Sequence, residues 1–101
     1  KARAARDALV AGLRAAGLAV EPPDQGLHLV VPLPDAVDDT APIAPLAAAG
    51  LGARALSTTA VGPARRRGLV VGFSGWPAED FTTATRNAAP ILAALAEAAR
   101  R

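Results

Sequence analysis

The chain has 101 residues, of which 51% are hydrophobic and 20% charged, proportions typical of one globular domain and not of a multidomain enzyme. Its net charge is only +2 and 3% of its residues are aromatic, so direct nucleic-acid binding is not predicted. The chain has no cysteine, which excludes disulfides and thiolate metal sites. No uninterrupted apolar segment approaches the roughly 20 residues that a membrane-spanning helix needs. We expect a cytoplasmic protein without membrane contact.

The first third of the sequence predicts one helix and one strand. Apolar residues recur at helical spacing over residues 2–16, and Gly17 is a typical C-terminal helix signal. After a proline-containing connector, residues 26–33 alternate between two faces and predict a strand. On that strand His28 lies on the face opposite Leu29.

The middle of the chain predicts an acidic loop, a short helix and a weak strand. The loop carries Asp35, Asp38 and Asp39, and we expect these carboxylates to be solvated, because they lack the glycine and the distal glutamate of a calcium loop. Pro45 is tolerated only in the first turn of a helix. The helix is therefore expected to begin no earlier than about residue 41 and to end at Gly50, followed by a weak strand over 51–56 and a loop over 57–67.

The last third predicts a strand and an interrupted helix. Residues 68–73 alternate, with leucine, valine and phenylalanine on one face and Gly68, Val70 and Gly72 on the other. A turn over 74–77 leads into the final helix, which Pro90 should break near residue 88. The buried stripe of this helix is predicted to contain Phe81, Ala84, Ala88, Ile91 or Leu92, Leu95 and Ala99.

Together these elements predict an α+β domain with the order helix, strand, helix, strand, strand, helix. The sheet has about three strands, and helices cover one of its faces. The opposite face is the one on which we expect function.

Few residues offer chemistry. His28 is the only histidine, so triads and sites that need two imidazoles are excluded within the chain, and no metal site is predicted. His28 has either a structural or surface role or a ligand-facing one. No base is arranged to activate a serine or threonine, and no catalytic residue is predicted. Trp76 is expected to cover the core at the entrance of the last helix, with stacking on a ligand as the alternative.

Three segments carry a family resemblance: residues 26–33, which read GLHLVVPL, residues 47–54, which read AAAGLGAR, with Ser57 beyond them, and residues 68–74, which read GLVVGFS. In this order the chain resembles the C-terminal small domain of MocR-type regulators of the GntR superfamily. The larger half of these regulators is similar to fold-type I aminotransferases. The resemblance covers essentially the whole chain.

The resemblance implies a winged helix-turn-helix that binds DNA and an aminotransferase-like body that binds pyridoxal 5′-phosphate and forms a homodimer. Residues 1–101 would then be one domain of a longer protein, packed against the large domain; the sequence has no methionine and begins at Lys1. In such proteins the lysine that holds the cofactor lies in the large domain. Lys1 is the only lysine here, so no cofactor-binding residue and no catalysis are expected in this chain alone.

The resemblance also identifies a departure from the family pattern. In many aminotransferases of this fold the strand equivalent to residues 68–73 carries an arginine that binds the substrate carboxylate, and Val70 stands at that position. Another cation would be needed to bind a carboxylate, and Arg67, at the end of the preceding loop, is the nearest candidate.

Two other interpretations stay open. The chain could be the small domain of a catalytically active aminotransferase, in which case carboxylate binding should be lost on mutation of Arg67. It could also be a stand-alone module of ferredoxin-like type that dimerises through its sheet and binds a small metabolite.

Overall fold

The α+β class and the three-stranded sheet are confirmed. A computed structural model describes residues 2–21, 28–59, 66–73 and 76–100. Lys1, the strand start at residues 26 and 27, Arg65, and Ser74 and Gly75 of the predicted turn lie outside the described residues. The elements in chain order are α1 (Ala2–Ala15), β1 (His28–Leu33), α2 (Ile43–Ala48), β2 (Arg54–Ala55), α3 (Leu56–Thr59), β3 (Arg67–Gly72), α4 (Ala78–Asn87) and α5 (Ala89–Ala99).

The element order differs from the prediction at one place. A short helix, α3, begins at Leu56, where the weak strand was expected to end and the loop to begin. The final helix is divided into α4 and α5 with Ala88 between them, which confirms the break predicted from Pro90. Pro45 lies in the first turn of α2, as its missing amide hydrogen requires.

The sheet is antiparallel throughout and has the order β1-β3-β2. Strand β1 pairs along its whole length with β3, with His28 opposite Gly72 and Leu33 opposite Arg67. Strand β2 contributes only Arg54, opposite Val70, and Ala55, opposite Leu69. Strand β3 is therefore the central strand and pairs with both of the others.

The two faces of the sheet have different environments. On the inner face Leu29, Val31, Leu69 and Val71 are fully buried, and they form one core with the apolar faces of the helices. The outer face carries exposed or half-buried residues, which are His28, Val30, Pro32, Arg54, Val70 and Gly72. We call this outer surface the open face.

Helix α1 packs closely on α4 at one glycine. A side chain at Gly12 would overlap the side chain of Thr85, which is buried and whose hydroxyl donates to the Phe81 carbonyl at 2.8 Å. The predicted apolar stripe did not include Thr85, because threonine is a polar residue. Thr85 can be buried nonetheless, because its hydroxyl is hydrogen-bonded within its own helix.

Two glycines end helices as predicted. Gly17 and Gly50 adopt φ values of 96° and 98°, a backbone conformation that residues other than glycine rarely adopt. The amide of Leu18 donates to the Leu13 carbonyl and that of Leu51 to the Leu46 carbonyl. Each glycine therefore turns the chain back so that the next leucine enters the core.

Candidate functional site

Two adjoining grooves lie at the end of the sheet where β3 finishes. The first, with a volume of about 360 Å³, lies on the open face, and we call it the sheet groove. The second, of about 450 Å³, runs along α4, and we call it the α4 groove. Both grooves are lined by Gly52, Gly72 and Trp76, so they meet at these residues.

The sheet groove brings together two side chains that are far apart in the sequence. His28 lies opposite Gly72 and Arg54 opposite Val70, and in an antiparallel sheet paired residues share one face. With β3 between them, the Cα atoms of His28 and Arg54 are separated by two strand spacings and an offset of two residues, roughly 12 Å. Gly72 has no side chain, and this leaves room between them.

The chemical character of the sheet groove is basic. Arg54 and His28 are both exposed and line it, and none of the other lining residues that the structure describes is acidic. Arg54 takes part in none of the ion pairs among the described residues. Its guanidinium has the planar arrangement of donors that binds a carboxylate with two parallel hydrogen bonds.

The α4 groove has the opposite character. Asp80, Thr83, Ala84 and Asn87 recur at intervals of three and four residues, so they form one stripe of α4 that faces this groove. Within the described part of the chain, Asp80 is the only charged residue that lines it.

Trp76 lies between the two grooves and is 63% exposed. The prediction that Trp76 covers the core was therefore wrong. Phe81, one turn into α4, occupies that position instead and is only 6% exposed. The indole ring therefore lies outside the core, and an exposed ring of this size is typical of a surface that contacts a ligand or a partner.

The two predicted site residues are not brought together. His28 lies at the sheet groove, whereas Arg67 lies five positions away along the β1–β3 pair, roughly 17 Å at about 3.4 Å per residue. The alternation of β3 also places Arg67 on the inner side, opposite Leu33. Its guanidinium donates to the Val37 carbonyl at 3.1 Å, so in this fold Arg67 binds the loop between β1 and α2.

The acidic loop contains a buried carboxylate that the sequence did not predict. Asp39 is 1% exposed and accepts hydrogen bonds from the Ser57 amide at 2.9 Å, the Ser57 hydroxyl at 2.7 Å and the Gly68 amide at 3.1 Å. The expectation of a solvated loop was wrong for this residue, because its partners lie 18 and 29 positions away in the sequence. Asp39 thus joins the loop to α3 and β3.

Opposing effects determine the acidity of Asp39. Burial raises the pKa of its carboxyl, while the hydrogen bonds from the Ser57 hydroxyl, the Ser57 amide and the Gly68 amide lower it. The pKa lies below its ordinary value, so the carboxylate is ionised at neutral pH. In the exposed neighbour Asp38, the hydrogen bonds from the hydroxyl and amide of Thr40 lower the pKa.

Other classes of site are not found in the described ranges. They contain no group of three or more histidine, aspartate or glutamate side chains that could hold a metal ion. No helix among them has the length and apolar character that crossing a membrane requires.

Comparison of the chain with known proteins does not identify a family for it. The chain matches no protein-family model, and no curated protein is significantly similar to it.

Proposed function

We propose that this chain is the C-terminal small domain of an aminotransferase-like effector domain that binds pyridoxal 5′-phosphate in a transcriptional regulator of MocR type. The order of the three motif segments and the α+β fold with one open sheet face support the proposal. The open face would meet the large domain of the same protein, and the protein would form a homodimer.

The observation that carries the proposal is the position of Val70. This residue, which aligns with the carboxylate-binding arginine of related aminotransferases, lies on the open face and lines the sheet groove. A residue at the corresponding place in an aminotransferase would face a ligand. Its location outside the core agrees with that role, since a strand residue needed only for packing would lie on the inner face.

Arg54 is a better carboxylate-binding candidate than Arg67. Arg54 is paired with Val70 on the neighbouring strand and lines the same groove, whereas Arg67 donates to a backbone carbonyl on the inner side. An arginine beside the position of the missing one supplies the same forked donor set from an adjacent strand. We propose that Arg54, with His28 on the other side of the sheet groove, binds an anionic group of the effector.

The cofactor itself would be bound by the large domain. The only lysine of this chain is Lys1, and the described residues contain no other group that could form a Schiff base. The chain alone is therefore expected neither to hold pyridoxal phosphate covalently nor to transaminate. In the intact protein we expect sensing of the cofactor to dominate over processing of an amino acid.

The first test is the intact mass of the natural gene product that carries this segment. A mass several times 10.1 kDa supports the proposal, and DNA binding by that product should then change when pyridoxal phosphate is added. A mass near 10.1 kDa, or a larger product that does not bind the cofactor, would refute it. Efficient transamination by the intact product would instead indicate an active aminotransferase.

Variants of the intact product test the assignment of Arg54. Arg54→Ala should weaken the response of DNA binding to the effector while leaving the unfolding temperature close to that of the unmodified protein, because the side chain is exposed. Arg67→Ala should lower the unfolding temperature, because it removes a tertiary hydrogen bond. The reverse pattern would return the role to Arg67.

A further inference from the structure

The α4 groove has a composition that selects the charge of a ligand. The described residues that line it include one carboxylate, from Asp80, and no basic side chain, with the exposed ring of Trp76 at the edge it shares with the sheet groove. Thr83 and Asn87, on the same stripe of α4, add a hydroxyl and an amide. These groups are suited to a ligand that is positively charged, partly apolar and able to form a few hydrogen bonds.

We propose that the α4 groove binds a small molecule through an alkylammonium group. The face of a tryptophan ring attracts an ammonium cation through its quadrupole, and proteins recognise quaternary ammonium ligands in this way. Asp80 would supply the opposite charge. This inference does not depend on the proposed function, because it rests on a different groove and concerns the 101-residue chain itself.

The carboxylate of Asp80 is available for such a ligand. It takes part in none of the ion pairs among the described residues, which are Arg6–Asp7, Arg66–Glu21 and Arg100–Glu97. Asp80 also lies in the first turn of α4, where a negative charge stabilises the helix. Glu79 has that same location and charge but does not line the groove, so the pair of residues separates the two roles.

The size of the groove fits a small ligand. Its volume of about 450 Å³ lies within the range of roughly 300–1,000 Å³ that is common for small-molecule sites. Because the charged and aromatic groups are exposed, binding should be weak, with a dissociation constant on the order of 1–10 mM for a simple probe.

The chain contains its own reporter for the experiment. Trp76 is the only tryptophan, and there is no tyrosine, so the intrinsic fluorescence of the full chain reports on Trp76, which lines both grooves; the variants below assign the signal to the α4 groove. The probe is choline chloride, and the matched control is 3,3-dimethylbutan-1-ol, which has the same shape without the charge. Sodium chloride at equal ionic strength corrects for salt. We expect a saturable change with choline and none with the neutral alcohol.

Variants assign the binding to the groove. Asp80→Asn should weaken choline binding about five-fold, the factor equivalent to the about 1 kcal/mol of an exposed ion pair. Glu79→Gln should leave the affinity within about two-fold of the unmodified chain, since a charge outside the groove is screened by salt. Far-ultraviolet circular dichroism confirms that both variants are folded.

Three results would overturn the proposal. The neutral alcohol could bind as tightly as choline, Asp80→Asn could bind choline as tightly as the unmodified chain, or Glu79→Gln could lose as much affinity as Asp80→Asn.

A separate arm of the experiment uses Nα-acetyllysinamide, which presents the ammonium group of a protein side chain. Tighter binding of this probe than of choline would overturn a small-molecule ligand in favour of a lysine from a protein partner.

Discussion

Replacement of Asp39 by alanine should destabilise this fold more than any other single change to its acidic loop. The carboxylate accepts three hydrogen bonds while it is 1% exposed, two of them from the backbone amides of Ser57 and Gly68. Asp39→Ala leaves those amides without their acceptor, and each unsatisfied buried donor costs about 1–3 kcal/mol. With partial entry of water, we expect the free energy of unfolding to fall by about 3–5 kcal/mol, a large part of the 5–15 kcal/mol typical of small domains.

Urea denaturation followed by circular dichroism measures this loss. For a slope of about 1–1.5 kcal/mol/M, the midpoint should fall by about 2–5 M or the variant should be unfolded in water. Asp38→Ala is the matched control, since its carboxylate is exposed and bonds only to the nearby Thr40, and its midpoint should stay close to that of the unmodified chain. If the two variants had equal midpoints, the role given to Asp39 in joining three segments would be wrong.

Three further predictions follow from named contacts. The pKa of the Asp39 carboxyl is lowered in the folded state, so the carboxylate stabilises the fold above its unfolded pKa of about 3.9, and this contribution is lost as the pH falls through the folded pKa. Asp39→Asn should therefore flatten the acid limb of the plot of unfolding free energy against pH. An unchanged limb would contradict the direction of the pKa shift. Gly12→Ala adds a methyl group that overlaps Thr85, and it should lower the free energy of unfolding in urea by about 1–3 kcal/mol. Gly52→Ala adds a methyl group with nothing within 4 Å, and it should change that free energy by less than about 0.5 kcal/mol. Equal effects would refute the close packing of α1 on α4. Trp76→Ala should likewise change stability by less than about 0.5 kcal/mol, while Phe81→Ala should cost about 3–5 kcal/mol, and a thermal melt that reversed this order would mean that Trp76 packs in the core.

Much of the fold could be predicted because local rules decide it. Gly17 and Gly50 end helices because their backbones adopt positive φ. The alternation of Leu69 and Val71 with smaller residues gave the inner face of β3. Pro90 can be accommodated at the start of a helix and not within one, and the structure begins α5 there.

The features that the sequence did not predict depend on contacts between distant segments. Nothing within the acidic loop distinguishes Asp39 from Asp38, and only Ser57 and Gly68, brought close by the sheet, make the first a buried acceptor. The candidate site behaves in the same way. His28 was identified from its residue type, but Arg54 was missed because its place beside Val70 depends on the pairing of β2 with β3.

The short length of β2 has a consequence for self-association. A two-residue edge strand leaves the beginning of β3 without a strand on the side away from β1, and free amides at a sheet edge invite pairing with a second molecule. In this chain the amide of Gly68 is already bound by the Asp39 carboxylate. The side chain thus protects the sheet edge against strand addition, and a variant without it should aggregate more readily for a reason separate from its lower stability.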